Sequence, residues 1–173
     1  MSTIPPSTPR FVQTTDWTTW VPPIQATLVF LVQDQDVLLI HKKTGLGKGK
    51  VNAPGGKREG TESFLECAYR ELSEEVGLKA SNLIEAAHLR FLMSDHPDIE
   101  YKVFIGSVFQ GELQSTAEAH PFWCAQDQIP WDQMWQDDHL WLPLVLEGHY
   151  VNAFFAFDQE TMLDHTLTTS PRR

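Results

Sequence analysis

Three glutamates, Glu71, Glu74 and Glu75, stand close together within residues 55–78, GGKREGTESFLECAYRELSEEVGL. Because an α-helix turns by about 100° per residue, this spacing places the three carboxylates within an arc of roughly 100° on one face. Like charges at such positions repel one another, and a hard divalent cation such as Mg²⁺, which takes oxygen ligands, removes that repulsion. The glutamates alone therefore predict a metal site or, alternatively, a solvated acidic face.

The helix that would carry these glutamates has signals at both ends. Thr61 or Ser63 can cap its start, and Ser63 with Glu66 forms a capping box. Gly77 suits the left-handed position that ends a helix. Its predicted apolar stripe consists of Phe64, Leu65, Ala68, Tyr69, Leu72 and Val76.

A longer pattern surrounds the glutamates. Five residues separate Gly56 from Glu62, seven more lead to Arg70-Glu71-Leu72, and Glu74-Glu75 and Gly77-Leu78 follow. This arrangement resembles the Nudix box, GX5EX7REUXEEXGU with U aliphatic, at every specified position. The resemblance implies hydrolysis of a nucleoside diphosphate linked to another group, X, with Mg²⁺ or Mn²⁺ as cofactor.

Carried over to this chain, the resemblance implies that the catalytic metal ligands are Glu71, Glu74 and Glu75, together with the Gly56 carbonyl. The loss of Glu75 is expected to be the most damaging. Arg70 joins the catalytic set by pairing with Glu62 and orienting the helix. The metal would neutralise phosphate oxygens and acidify an attacking water. Two candidates for the general base stay open, a glutamate and a hydroxide at the metal.

One further basic residue follows the glycine pair. Lys57 is a candidate phosphate contact, and a surface lysine is the alternative.

A second group of chemically capable residues lies further along the chain. Trp135 stands beside Asp137 and Asp138 at the start of a predicted helix, in a segment that holds four of the six tryptophans. An aromatic face next to paired carboxylates can stack on a purine and bind its edge. If the two carboxylates share a dry pocket, one pKa rises and the protonated acid becomes a hydrogen-bond donor. The alternative is that Asp137 caps the helix, while Trp123 and Trp141 belong to the core.

This segment is similar to the MutT-like branch of the family that acts on oxidised purine nucleoside triphosphates, and the similarity extends through most of residues 24–169. It implies that Asn52 and Asp137 hydrogen-bond the base, with help from Asp138. It also implies that Trp135 stacks on the base and that Phe91 lines the opposite wall.

The same resemblance makes Glu118, in the loop STAEAHPFW, a further metal-side carboxylate. The chain departs from the branch at several positions that bear on base preference. These are Gln136 in place of proline, Leu46 and Val51 in place of aromatics, and Ala53-Pro54 in place of Gly-Phe. Residues 1–23 have no counterpart.

The predicted activity is Mg²⁺-dependent conversion of 8-oxo-dGTP, or a related triphosphate such as 2-hydroxy-dATP, to the monophosphate and pyrophosphate. This would keep damaged precursors out of DNA. One alternative is a Nudix hydrolase of ADP-ribose, a dinucleoside polyphosphate or another modified triphosphate. A second is a nucleotide sensor that has lost catalysis, and a third, less favoured, is an isomerase of prenyl diphosphates.

The charge distribution agrees with a small anionic ligand. The formal net charge is −10, so most of the surface would repel DNA, and nucleic-acid binding is not expected. A basic segment directly before the acidic helix suits an anion held with a divalent cation, although scattered surface lysines are the alternative. This segment holds six of the thirteen basic residues, namely Lys42, Lys43, Lys48, Lys50, Lys57 and Arg58.

Several classes of protein are not expected. The chain has no run of 18 apolar residues, so no membrane span is predicted. Its N-terminus lacks a basic region followed by an apolar one, so no secretory signal is predicted. The two cysteines, Cys67 and Cys124, match no metal spacing and are expected to stay reduced in a cytoplasmic protein. The residues leave the oligomeric state open, and a monomer is favoured.

The elements that must position these residues form one predicted domain, residues 24–173, after an irregular N-terminal extension, residues 1–23. The sequence predicts two helices and a loop over residues 44–56. The first helix lies between a cap at Thr61 or Ser63 and Gly77, and the second spans residues 137–148. Because strands outnumber helices and form blocks around them, the order predicts an α+β sandwich. The resemblance implies the Nudix α/β/α form of it, with a mixed sheet between helices. The predicted strands are residues 24–32, 37–42, 83–94, 99–109, 121–125, 150–157 and 162–169.

Overall fold

The computed structural model describes residues 7–173 and is built around a mixed sheet of nine strands. Two α-helices, a separate pair of short strands and three 3-10 turns complete this part of the chain. The turns are Val12–Thr14, Gln126–Gln128 and Trp131–Gln133. The helices and strands are β1 Ile24–Gln33, β2 Asp36–Lys42, β3 Val51–Asn52, β4 Gly55–Lys57, α1 Phe64–Val76, β5 Leu78–Ala80, β6 Ile84–Met93, β7 Ile99–Gly106, β8 Phe109–Gly111, β9 Ala119–Ala125, α2 Asp138–Leu146, β10 His149–Asp158 and β11 Thr161–Pro171.

The strand order of the large sheet is β11-β10-β6-β7-β1-β2-β3, with β4 paired to β1 and β9 paired to β2. The pairs β1/β7 and β6/β10 are parallel, whereas the other pairs are antiparallel. Strands β5 and β8 form the separate pair. The predicted mixed sheet is therefore confirmed.

Both faces of the sheet are covered, as the alternation of side chains along β1 shows. Leu28 and Phe30 enter the core beneath α2, while Val29 and Leu31 enter the core beneath α1. Successive strand residues point to opposite faces, so a strand buried on both sides is a continuous apolar run. The sandwich of a sheet between helices, expected from the element order, is thus confirmed.

Helix α1 begins and ends where its sequence signals predict. Ser63 is the N-cap and its Oγ accepts a 3.0 Å hydrogen bond from the Glu66 N–H. Gly77 ends the helix at φ 79°, in the left-handed region. One member of the predicted apolar stripe is wrong, because Leu65 is 39% exposed, and Cys67 is buried in its place.

Two predicted segments differ from the structure by more than one or two residues at their ends. The predicted loop 44–56 includes β3 and the start of β4, because its second half returns to the sheet and Val29 N–H binds the Pro54 carbonyl at 2.7 Å. The predicted strand 99–109 stops at Gly106. There Asn82 Oδ1 accepts the N–H groups of Ser107 and Val108, both at 3.0 Å, and the chain turns away to pair with β5.

Residues 1–6 of the predicted extension lie outside the described residues. Residues 7–23 contain the turn Val12–Thr14 and pack on β6, β10 and β11 through Val12, Trp17 and Trp20. Both cysteines, Cys67 and Cys124, are free and buried. Within residues 7–173, no helix combines the length and apolar character needed to cross a membrane.

Candidate active site

The acidic site is formed by α1 and by the loop that precedes β9. Glu71 and Glu75 lie one helical turn apart and are both buried, while Glu118 reaches them from the exposed loop. One carboxylate oxygen from each of the three lies within 4.8 Å of the other two. We call Glu71, Glu75 and Glu118 the carboxylate cluster.

Burial of the cluster makes its negative charge costly. Burial raises the pKa of Glu75 to about 8, and the nearby Glu71 and Glu118 act in the same direction. A 3.3 Å hydrogen bond from the Gly55 N–H and the charge of Lys42 only partly oppose this rise. Burial likewise raises the pKa of Glu71 against the opposing effect of Arg70. Such a site favours binding of a positive charge.

The donor set fits a hard divalent cation. Three convergent carboxylates offer oxygen ligands, and this is the chemistry that Mg²⁺ and related ions prefer. The structure also explains why the sequence has glycine at position 56. A Cβ there would overlap the carboxylate of Glu71, so only glycine lets the chain of β4 lie against the cluster.

The third predicted helical ligand, Glu74, is not part of this cluster. Its side chain is 60% exposed and its Oε2 accepts a 3.0 Å hydrogen bond from Arg70 Nη1. Helical geometry turns Glu74 by about 100° from Glu75, away from the sheet. The structure therefore brings together Glu71, Glu75 and Glu118, and leaves Glu74 exposed beside Arg70.

Arg70 connects the helix to its surroundings, as the resemblance implied. Its guanidinium donates to Glu62 at 2.6 and 2.9 Å, to Glu71 at 2.9 Å and to the Lys57 carbonyl at 3.1 Å. The hydrogen bond with Arg70 is the main cause that lowers the pKa of Glu62 to about 2. The pairing predicted for Arg70 and Glu62 is present, and it holds Glu71 in position.

A wide cleft of about 1120 Å³, including the part open to solvent, adjoins the carboxylate cluster. We call it the acidic cleft. Two cations of the predicted basic segment, Lys42 and Lys57, lie on its wall. The clustering of positive next to negative charge that the sequence predicted is thus present, with these two lysines at the cleft.

A second, mostly apolar cavity opens beside the cleft, and we call it the aromatic pocket. The two cavities share part of their lining, including Asn52 and Trp135. All five residues that the sequence analysis assigned to the base line the aromatic pocket, namely Asn52, Phe91, Trp135, Asp137 and Asp138.

Asp137 and Asp138 are buried at the pocket, with 2% and 4% of their surfaces exposed. Burial raises the pKa of Asp137 to about 6, against the opposing hydrogen bond from Trp141, and it raises the pKa of Asp138 well above its ordinary value, with the charge of Asp137 adding to the rise. A raised pKa favours the neutral form of a carboxyl, and the neutral form can donate a hydrogen bond. The pair can then offer a donor and acceptors to a ligand.

The alternative that Asp137 caps α2 with its side chain is wrong. Its side chain makes no capping hydrogen bond and instead accepts from Trp141 Nε1 at 2.8 Å. Asp138 Oδ2 accepts the backbone N–H of Trp135 at 3.1 Å, which fixes that residue at the pocket. Each contact occupies one carboxylate oxygen, and the other oxygen can meet a ligand.

Five residues of the pocket wall had no predicted role at the site, namely Leu28, Met93, Ile99, Tyr101 and Phe157. Ile99 and Tyr101 occupy alternate positions of β7, and Met93 and Phe157 are paired near the ends of the parallel strands β6 and β10. The alternation of large apolar residues along β7 was a usable signal. It did not show which neighbouring strand faced the same cavity, because that depends on the pairing of Ile99 with Phe91.

Comparisons with known proteins agree with this geometry. A family model described as the NUDIX domain matches residues 22–145. Proteins from Mus musculus and Danio rerio, each named "Oxidized purine nucleoside triphosphate hydrolase", are 37% and 36% identical over 143 residues, which cover 82% of this chain and 92% of each relative.

Solved structures show the same fold. A MutT protein from Bacillus halodurans superposes with a TM-score of 0.74 at 22% identity, over 83% of this chain and 97% of that one. An ADP-ribose pyrophosphatase from Streptococcus suis gives 0.56 at 22% identity, over 72% and 90%. With a family model over most of its length and two relatives above one-third identity, the chain belongs to the Nudix family.

Proposed function

We propose that this chain hydrolyses oxidised purine nucleoside triphosphates, 8-oxo-dGTP or a related one such as 2-hydroxy-dATP, to the monophosphate and pyrophosphate, with Mg²⁺ or Mn²⁺ as cofactor. One observation carries the proposal. The buried pair Asp137 and Asp138 lies in an aromatic pocket that opens into the cleft of the carboxylate cluster. The names of the relatives from mouse and zebrafish support the same substrate class.

The aromatic pocket suits a modified purine. Trp135 meets Phe157 edge-on at 5.8 Å and 86°, an arrangement that leaves the indole faces available for stacking. Lys50 Nζ lies 5.1 Å from the centre of the indole, so we assign the stacking to the opposite face. Phe91 would form the other wall, and Asn52 would hydrogen-bond the base edge.

The paired aspartates would recognise the base by its donors and acceptors. Oxidation of a purine exchanges an acceptor for an N–H donor, or adds an oxygen, at the edge that is bound. A pair that holds one proton presents an O–H donor next to carboxylate acceptors, and can therefore match altered edges. A dry site of this kind discriminates strongly, because the wrong base leaves a buried polar group without a partner.

The triphosphate would extend from the pocket into the acidic cleft. Lys42 and Lys57 on the cleft wall would attract its negative charge, whereas Glu71, Glu75 and Glu118, with the Gly56 carbonyl, would hold the cation. When bound, the cation supplies charge neutralisation of phosphate oxygens and acidification of an attacking water.

The helix α1 supplies the rigid support for this chemistry. Arg70 ties Glu71 to Glu62 and to the carbonyl of Lys57, and these contacts would orient the Glu71 carboxylate within the cluster. Glu74 would contribute from its exposed position beside Arg70, to which it is hydrogen-bonded. We propose in addition that residues 24–173 form the catalytic domain and that the enzyme works in the cytoplasm as a monomer.

The test is the steady-state release of pyrophosphate or other phosphate products with Mg²⁺, measured as kcat/KM for a panel of substrates. The panel contains 8-oxo-dGTP, 2-hydroxy-dATP, dGTP, dATP, ADP-ribose and a diadenosine polyphosphate. We expect an oxidised purine to exceed its unmodified parent by about a hundredfold, the contribution of roughly two well-formed buried hydrogen bonds. A flat profile, a preference for ADP-ribose or the absence of turnover would each contradict the proposal.

A further inference from the structure

An N-terminal segment, residues 7–20, lies behind the aromatic pocket. It packs on the face of β6 and β10 that is turned away from the pocket, because successive strand residues point to opposite sides. Leu92 contacts the segment, whereas its neighbours Phe91 and Met93 line the pocket. The contact cluster consists of Val12, Leu92 and Ala156, with Trp17 and Trp20 packed against it.

Asp98 joins this segment to the strands that form the pocket wall. It precedes β7 and is only 8% exposed. Its Oδ2 accepts hydrogen bonds from Arg10 Nη1 at 2.8 Å and from Trp20 Nε1 at 2.9 Å. Its Oδ1 accepts from Arg10 Nη2 at 2.5 Å and from the backbone N–H of Met93 at 3.0 Å. One buried carboxylate thus binds the segment and the end of β6 together.

The charge of Asp98 depends on these donors. Burial acts to raise the pKa of Asp98, but the hydrogen bonds from Arg10, Trp20 and Met93 outweigh burial and hold the pKa below its ordinary value. Arg10 Nη2 also donates to the Met93 carbonyl at 3.3 Å. Without Arg10, the buried carboxylate would lose its only ion-pair partner among the described residues.

The two residues beside this network border the substrate cavities. Met93 ends β6 and lines the aromatic pocket, and Ile99, which follows Asp98, lines the pocket and the acidic cleft. The backbone of Ile99 is paired with that of Phe91. A shift of Asp98 would therefore displace Met93 and Ile99, which form part of the wall of the aromatic pocket.

We propose that Arg10 is a positioning residue for the substrate, acting through Asp98 to hold Met93 and Ile99 as a wall of the aromatic pocket. This inference rests on the proposed function, because it takes the aromatic pocket as the base site. Other attachments of the segment are independent of Asp98. The Val12 and Gln13 N–H groups, for example, bind Asp164 of β11 at 2.8 and 3.3 Å.

The experiment compares full-length Arg10→Ala with wild type and with Gln13→Ala. Gln13 is a matched control, because its exposed side chain binds Thr166 in the same segment without touching Asp98. We expect Arg10→Ala to raise KM for the preferred triphosphate about tenfold while kcat changes less than about threefold, since the wall but not the carboxylate cluster is disturbed. Hydrogen–deuterium exchange of residues 93–99 should become faster. Gln13→Ala should change neither quantity.

A double variant tests the route through Asp98. If Arg10 acts through that carboxylate, adding Asp98→Asn to Arg10→Ala should raise KM no further than the larger single effect. Arg10→Lys, which keeps the charge but not the two-pronged contact, should lie between wild type and Arg10→Ala. If Arg10→Ala lowers only the melting temperature and leaves KM and the exchange of residues 93–99 unchanged, the inference is wrong.

The outcome is separable from that of the proposed function. The wild-type substrate profile decides which compound is cleaved, whereas the ratio of variant to wild type decides the role of Arg10. If wild type prefers ADP-ribose, the proposed function fails. The ratio measured on that compound still tests Arg10, because Ile99 borders both cavities.

Discussion

The indole N–H of Trp141 donates a 2.8 Å hydrogen bond to Asp137 Oδ2 inside the core, one helical turn away. Trp141 of α2 is fully buried against the sheet, and Asp137 directly precedes the same helix. The bond fixes one oxygen of the carboxylate to a fully buried side chain of the core. The aspartate can therefore present its second oxygen to a ligand with little loss of conformational freedom.

Trp135→Ala is predicted to lower kcat/KM for oxidised purine triphosphates by about 10- to 100-fold, the usual value of one base–aromatic stacking contact. Trp135→Phe, which keeps an aromatic face, should stay within about fivefold of wild type. The loss should appear mainly in KM, because the carboxylate cluster is not altered. Steady-state kinetics on the substrate panel measures it, and equal losses for Ala and Phe would argue against stacking.

Glu75→Gln is predicted to fold normally and to reduce kcat by at least about a thousandfold, because it removes a charge from the carboxylate cluster and keeps the shape of the side chain. The matched control is Glu66→Gln, an exposed glutamate in the first turn of the same helix. Glu74→Gln should reduce kcat much less than Glu75→Gln, because Glu74 is exposed and lies outside the carboxylate cluster.

Melting temperature and turnover together decide this prediction. If Glu75→Gln retains activity within about tenfold of wild type, a change of roughly 1.4 kcal/mol in the barrier, then the metal-site assignment is wrong. Equal losses for Glu74→Gln and Glu75→Gln would instead place Glu74 among the metal ligands.

Substitution of the two glycines of β4 by alanine is predicted to affect different properties, stability at Gly55 and activity at Gly56. A Cβ at Gly55 would overlap the backbone carbonyl of Thr27 in the neighbouring strand, so Gly55→Ala should destabilise the fold. A Cβ at Gly56 would meet the end of the Glu71 side chain, which can rotate. Gly56→Ala should therefore remain folded and lose activity. Thermal melts followed by circular dichroism measure the stability of both variants, and turnover measures their activity. A Gly56→Ala variant with wild-type kcat would show that Gly56 has no role at the metal site.

Local signals in the sequence were sufficient to place α1. Ser63 and Gly77 define its ends through contacts with their immediate neighbours, and such contacts do not depend on the rest of the fold. Helical periodicity correctly placed Glu71 and Glu75 on the same side of the helix. It could not predict that Glu71 and Glu75 lie against β4 while Glu74 lies beside Arg70, because this depends on how the helix is rotated over the sheet.

The role of Asp137 shows a second limit. An aspartate before a helix usually caps it, and local preference supported that interpretation. The bond from Trp141 has a sequence signature, an aspartate and a tryptophan four positions apart. Its meaning depends on that side of α2 facing the core, where the indole N–H requires a partner. Tertiary burial, which one sequence does not display, decided between the two contacts.

Asp138→Asn is predicted to make the stability of the protein less sensitive to pH. Burial raises the pKa of Asp137 from 3.8 to about 6 and raises that of Asp138 well above its ordinary value. A carboxyl whose folded pKa is raised contributes stability that is present below its unfolded pKa and is lost as the pH rises through its folded pKa. Wild type should therefore lose stability as the pH rises from about 4 through about 6, the pKa of Asp137. The asparagine can still accept the Trp135 N–H, so the pocket should keep its shape.

The measurement is the free energy of unfolding of wild type, Asp138→Asn and an exposed control, Asp132→Asn, between pH 4 and pH 8 without added metal. The buried glutamates are the same in all three proteins, so their titration cancels in the differences. The gain of Asp138→Asn over wild type should grow as the pH rises, because the substitution removes a carboxyl whose charged form is disfavoured by burial. Asp132→Asn should show no such growth. A difference between Asp138→Asn and wild type that stays constant over this range would mean that the pair does not hold a proton near neutral pH, and the donor needed to recognise an altered base would have to come from Asn52 instead.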